Sequence, residues 1–325
     1  EWVLDKSLQG FVYTSTSSTN TNTELVKILS FKNSFKTSEK EELSKKSIAT
    51  RGRFTIGLSG GSLPKILSLK LKSHKYDVEW NKWQVFFCDE RLVPLGHPDS
   101  NYLLCKNELF NHLPIPKQNI HVINEELVLK IDEIVAKIES IKQETGFTDV
   151  DSENDKTKDA NDGEITEDGK VSSPSKFDQL KQTLEDLLLE VVDDYEKQLI
   201  DVFAGVNSVK FPVFDLLLLG IGPDGHTCSL FPNHPQLDES ALWVTYIYNS
   251  PKPPPRRITF TLPVVNHAHN VVFVATGKGK QDVLRDILEN SDNKNLHLPA
   301  TFVKPVNGKL YWFLDDEDVA KLYIR

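Results

Sequence analysis

Residues 214–232 read Phe-Asp-Leu-Leu-Leu-Leu-Gly-Ile-Gly-Pro-Asp-Gly-His-Thr-Cys-Ser-Leu-Phe-Pro. The run Asp215-Leu216-Leu217-Leu218-Leu219 does not alternate between apolar and polar residues, the mark of a strand covered on both faces. Such strands belong to parallel sheets with helices packed on either side. The glycines and polar residues that follow stand at the strand's carboxyl end, where open α/β sheets hold their ligands.

Outward from this stretch, short apolar runs at 54–58, 83–87, 243–248, 258–262 and 271–275 read as further strands. Amphipathic segments separate them. The clearest places Leu180, Leu184, Leu187, Leu188, Val191, Tyr195, Leu199 and Val202 on one stripe at helical spacing. Other helical patterns begin near Ser62, Ser100, Glu125 and Lys280. The alternation predicts an α/β fold, doubly wound, with a largely parallel sheet and helices on both faces.

The chain has 325 residues, with 38 Lys and Arg against 47 Asp and Glu, for a net charge of −9. The acidic balance argues against a phosphate-backbone binder, so nucleic acid is not an expected partner. No run of 18 apolar residues exists, which excludes a spanning helix and makes a membrane partner unexpected. Cys88, Cys105 and Cys228 are widely spaced and form no CxxC pair, as suits free thiols in a reducing compartment. The opening residues, Glu1 to Asp5, show no basic segment followed by an apolar one, so no secretory signal is visible. A cytoplasmic location is expected.

Residues 144–176 hold ten acids and four lysines, a net −6, with few sizeable apolar groups. Such a stretch cannot bury enough surface to offset its ordering entropy, and it reads as a disordered insertion. The remainder carries only −3. Apolar patterns resume on both sides and neither half looks self-sufficient, so one domain spanning 1–325 and interrupted by this insertion is expected. The insertion is the one segment suited to an unknown protein partner.

Three strand ends carry chemistry. Ser59-Gly60-Gly61-Ser62 follows the first strand and opens a helix, where unpaired N–H groups can meet an anion. It lacks the spacing of a Walker motif, and a tight capped turn would explain it equally well. Cys88-Asp89-Glu90-Arg91 follows the second strand, and Arg91 offers the planar fork that matches a phosphate. In isolation it reads as a solvated salt-bridge cluster. The third is Gly220 to Pro232. It contains G-x-G-x-x-G, yet Asp224 would put a negative charge where a pyrophosphate should lie. The strand at 243–248 ends in Asn249 rather than in an acid. A dinucleotide site is excluded, and His226 remains, flanked by an acid and hydroxyls at the end of a buried strand.

Together SGGS, DERxVP with a following SN, and GxGxDGHTxSLFP resemble the 6-phosphogluconolactonase family, within the glucosamine-6-phosphate isomerase/6-phosphogluconolactonase superfamily. Two further stretches match: Lys252-Pro253-Pro254-Pro255-Arg256-Arg257-Ile258-Thr259, and Gly277-Lys278-Gly279-Lys280. The length departs from the family pattern by about the size of the insertion, as in long-insert, fungal members. The resemblance implies hydrolysis of a six-membered cyclic ester on a phosphorylated sugar acid, with no metal or other cofactor. Histidine is the residue type whose ordinary pKa suits a base near neutrality, which makes His226 the expected base. Asp224 would orient or tune it. Ser59, Gly60, Gly61 and Ser62, with Asp89, Arg91, Arg257 and Lys280, would bind the phosphorylated sugar lactone and its oxyanion. Arg257, beside Ile258-Thr259, is preferred to Arg256. Two other readings share these motifs: a glucosamine-6-phosphate deaminase or sugar-phosphate isomerase, and a non-catalytic paralogue with a binding role, tRNA included. No basic stripe supports RNA contact.

Overall fold

The computed structural model describes residues 2–5, 10–15, 24–30, 37–71, 77–145, 175–205, 208–289 and 297–314. All but the edges of the acidic stretch lie outside these residues. In chain order the elements are β1 (Trp2–Asp5), β2 (Gly10–Ser15), β3 (Glu24–Ser30), α1 (Thr37–Arg51), β4 (Phe54–Leu58) and α2 (Leu63–Leu71). They continue with β5 (Trp83–Phe87), β6 (Asp89–Arg91), α3 (Asn101–Cys105), α4 (Glu125–Thr145), α5 (Lys176–Phe203) and β7 (Leu216–Leu219). The last are β8 (Val244–Ile247), β9 (Arg257–Phe260), α6 (Leu262–His267), β10 (Asn270–Ala275), α7 (Gln281–Glu289) and β11 (Lys309–Leu314).

The chain divides into two compact units, Glu1–Ile123 with Asp194–Arg325, and Asn124–Asp193. The second unit comprises α4 and most of α5. The first holds both sheets.

The main sheet runs β1-β2-β3-β11-β10-β7-β4-β5. From β3 to β5 every pairing is parallel, and only β1–β2 and β2–β3 are antiparallel. All four leucines of β7 are buried, as the unbroken apolar run requires. Each contributes roughly 1.5–3 kcal/mol on burial. Strand periodicity divides the core between the two faces. Leu216 and Leu218 join Ile56, Leu58, Val85 and Phe87 beneath α2, where Leu63 and Leu67 pack. On the other face Phe86 meets Tyr195 and Phe203 of α5 and Phe214 before β7.

Asp215 locks the amino-terminal edge of the sheet. Its buried carboxylate accepts from Thr55 N (2.8 Å), Thr55 Oγ1 (2.9 Å), Ser47 Oγ (3.0 Å) and Arg51 of α1. The expected strands at 243–248 and 258–262 form, as β8 and β9, but outside the main sheet. They build a small antiparallel sheet of order β6-β9-β8. That departure from a wholly parallel pattern shapes the site.

Candidate active site

The strands β10, β7, β4 and β5 lie side by side and end at one edge. From β4 the chain passes to β5 on one side while β7 lies on the other. A crevice therefore opens beyond their carboxyl ends. A cavity of about 150 Å³ sits there, lined by Ser59, Gly60, Gly61, Ser62, Leu63, Asp89, Arg91, Gly220, Ile221, Gly222, His226, Cys228, Arg257, Val274 and Lys280.

One wall is the turn after β4. Gly61 takes φ +69°, a conformation costly for other residues. Gly60 sits so close to Asn101 that a β-carbon would overlap the Asn101 carboxamide. Asn101 Nδ2 donates in turn to Asp89 O (2.8 Å), so the glycine turn, α3 and β6 hold one another. Ser59 is buried in this wall, its side chain beside the Cys88 thiol.

The second wall comes from β6 and β9. Their register sets Asp89 opposite Thr259 and Arg91 opposite Arg257. Two cations facing each other across a strand pair repel, and an anion between them relieves the repulsion. Ser229 Oγ donates to Asp89 Oδ2 (2.6 Å), and Arg257 Nη1 donates to Ser229 Oγ (3.3 Å). Burial lowers the Arg257 pKa from its ordinary value, and the charge of Asp89 opposes that shift. Glu90, between the two site residues, turns inward. It accepts from Arg91 N, Asn101 N and Tyr102 N, each at 2.8 Å. Burial pushes its pKa up to about 7 against those bonds.

The third wall is the loop after β7. Gly222-Pro223-Asp224-Gly225 forms a turn closed by Gly225 N donating to Gly222 O (3.0 Å), with proline and glycine where such turns favour them. It brings Asp224 back beside His226, and Oδ1 lies 2.5 Å from Nδ1. Two acceptors cannot sit that close without a proton between them. Nδ1 therefore carries the hydrogen, which leaves Nε2 as the ring nitrogen placed to act on a substrate. Gly222 leaves room for this pair, since a β-carbon there would overlap the imidazole. Lys252 Nζ donates to Asp224 Oδ1 (3.0 Å) from the proline-rich loop before β9. Burial acts to raise the Asp224 pKa, but His226 and then Lys252 hold its carboxyl well below the usual carboxylate range.

Nine of the ten residues expected from sequence line this single cavity, and Asp224 stands behind His226. Arg257 does more than the sequence implies. Its Nε donates to Pro254 O (3.0 Å), and its Nη2 to Lys252 O (2.8 Å) and Pro253 O (3.1 Å). Of its five N–H groups, one on Nη1 is left for a ligand. Lys252, Ser229 and Asn101 stand inside the matching motifs, yet their roles are not legible there, because each acts on a partner remote in the chain. Among the described residues, no group of three or more His, Cys, Asp or Glu could hold a metal ion. Burial pushes the Cys88 and Cys105 thiols up, so neither is a ready thiolate.

A cavity lined by anion donors at the switch point of a mostly parallel sheet, with a histidine–aspartate pair in its wall, defines the class. The family described as Glucosamine-6-phosphate isomerases/6-phosphogluconolactonase matches residues 37–159 and 150–312, and the chain belongs to it. It is 41% identical over 284 residues to a probable 6-phosphogluconolactonase of Schizosaccharomyces pombe, covering 87% of this chain and 88% of that one. It is 40% identical over 269 residues to the 6-phosphogluconolactonase of Homo sapiens, covering 82% and 80%. A solved 6-phosphogluconolactonase from Trypanosoma cruzi superposes with a TM-score of 0.62 at 25% identity, covering 88% of this chain and 91% of that one.

Proposed function

We propose that the protein hydrolyses 6-phospho-D-glucono-1,5-lactone to 6-phospho-D-gluconate, a step of the oxidative pentose phosphate pathway. The observation that carries the reading is the 2.5 Å contact between His226 Nδ1 and Asp224 Oδ1, in the wall of a cavity rich in anion donors.

The chemistry follows from these groups. His226 Nε2 takes a proton from water as its oxygen attacks the lactone carbonyl. Asp224 holds Nδ1–H and stabilises the imidazolium that forms. Collapse of the tetrahedral intermediate breaks the ring C–O bond, and the imidazolium returns the proton to the departing oxygen. Arg91, Lys280, the last Nη1 hydrogen of Arg257 and the amides of the Gly60-Gly61 turn serve the phosphate and the oxyanion. Asp89 fixes that wall through Ser229. Every step uses the chain's own groups, and a positioned base supplies roughly 10²–10⁴-fold.

On the same reading, the chain is one α/β domain carrying an acidic insertion at about 144–176. Free, buried Cys88, Cys105 and Cys228 support a cytoplasmic setting. No helix among the described residues is long and apolar enough to cross a membrane. The test is lactone decay with the purified protein, corrected for spontaneous hydrolysis. Turnover of the phosphorylated lactone, with none of glucosamine-6-phosphate, is expected. Deamination of the latter would overturn the reading.

A further inference from the structure

Lys252 is placed with unusual care for a lysine on a loop. Its Nζ lies 3.0 Å from Asp224 Oδ1 and 3.1 Å from His226 Nδ1, reaching across 28 and 26 positions of sequence. Lysine side chains carry high rotamer entropy, so a fixed ammonium needs a fixed backbone. That backbone is held. Arg257 takes the carbonyls of Lys252, Pro253 and Pro254, as described above. Ser250 Oγ donates to Lys252 O (2.9 Å) and accepts from Lys252 N (3.2 Å), and Ser250 N donates to Pro255 O (2.9 Å). Three prolines restrict the segment further.

An ammonium cannot accept the Nδ1 hydrogen, so its approach to the ring is not a bond and the target of this scaffold is a single oxygen. Asp224 Oδ1 receives both the Lys252 ammonium and the His226 Nδ1–H. The carboxylate is only half-buried, so water competes for it. A second donor fixed on Oδ1 removes the rotation that would present the other oxygen or swing the carboxylate away. Lys252 is not among the residues lining the cavity. It approaches the ring from the Nδ1 side.

We propose that Lys252 is a positioning residue for the His226–Asp224 pair: it pins the carboxylate so that the histidine keeps its proton on Nδ1 and its lone pair toward the substrate. This rests on the lactonase reading above. The role divides kcat from KM, because Lys252 touches the dyad and not the ligand.

The experiment compares wild type, Lys252→Met, Lys252→Arg, Asp224→Asn and the Asp224→Asn/Lys252→Met double variant with the phosphorylated lactone as probe. Lys252→Met is expected to lose about tenfold or more in kcat with KM nearly constant, and Lys252→Arg to recover part of it. The double variant is expected to be no slower than Asp224→Asn alone, since both act through one carboxylate. Nitrogen-15 NMR of His226 reads the tautomer directly, at rest and without turnover. Wild type is expected to show Nδ1–H, and Lys252→Met a mixture. Unchanged kcat with an unchanged tautomer overturns the proposal. So does a rise in KM at constant kcat, which would make Lys252 a substrate contact, or additive losses in the double variant. If wild type itself fails to turn over the lactone, the lactonase reading falls instead, and the NMR comparison still decides whether Lys252 holds the tautomer.

Discussion

His226 and Asp224 stand two positions apart, and a single proline-containing turn suffices to bring them together. His226→Ala should therefore lose about 10²–10⁴ in kcat. Its thermal midpoint should stay near that of wild type, because the ring lines the cavity. A collapsed melt would instead assign the histidine to the fold. Arg257 and Lys280 look alike as candidate phosphate donors in the sequence, yet the structure separates them. Lys280→Ala should raise KM by about one to two orders of magnitude, the loss of a charge-assisted hydrogen bond worth roughly 1.5–3 kcal/mol. Arg257→Ala should raise KM and also lower the melting temperature, since it strips three loop carbonyls of their donors. Steady-state kinetics and a melt on both variants distinguish the two roles.

At the scale of elements, the site depends on turns that no side chain can enter. Gly222→Ala would drive a methyl into the His226 ring, and Gly60→Ala would drive one into Asn101, which holds Asp89 in place. Both should reduce kcat more than they reduce stability; wild-type kinetics in either variant would show that the walls tolerate movement. The parallel strands were legible because a run such as Leu216–Leu219 is apolar at every position, and their polar carboxyl ends then located the three motifs. The helix at 176–203 was legible from its stripe. The pairing of β6 with β9 was not. Each is three or four residues long, they are more than 160 positions apart, and neither has a periodic signature. Yet this pairing sets Arg91 opposite Arg257. The strands β1 to β3 and β11 likewise went unread, and the role of Lys252 was hidden because its partners are long-range.

For the molecule as a whole, two titrating groups oppose each other in the acid range. Burial pushes Glu90 up to about 7 from 4.5, so the stability it contributes is present below pH 4.5 and fades as pH rises through 7. Burial lowers His121, stacked on Phe86, to about 4 from 6.5, so its contribution is present above pH 6.5 and fades as pH falls toward 4. Between pH 4.5 and 6.5 the two slopes offset. The wild-type melt should be nearly flat there, whereas His121→Phe should lose stability with rising pH, by up to about 3 kcal/mol across the window. A melt of the variant that stays flat would remove Glu90 from the account. None of the cavity-lining residues comes from 124–193, so replacing 146–174 with a short Gly/Ser linker should leave kcat and KM unchanged. The chemistry as a whole turns on His226 activating water against a phosphorylated lactone in this cavity. Its most direct test follows disappearance of 6-phospho-D-glucono-1,5-lactone with wild type and His226→Ala side by side, each corrected for spontaneous decay. Rapid decay is expected with wild type and a rate near background with the variant. Equal rates for the two proteins, fast or slow, would contradict it.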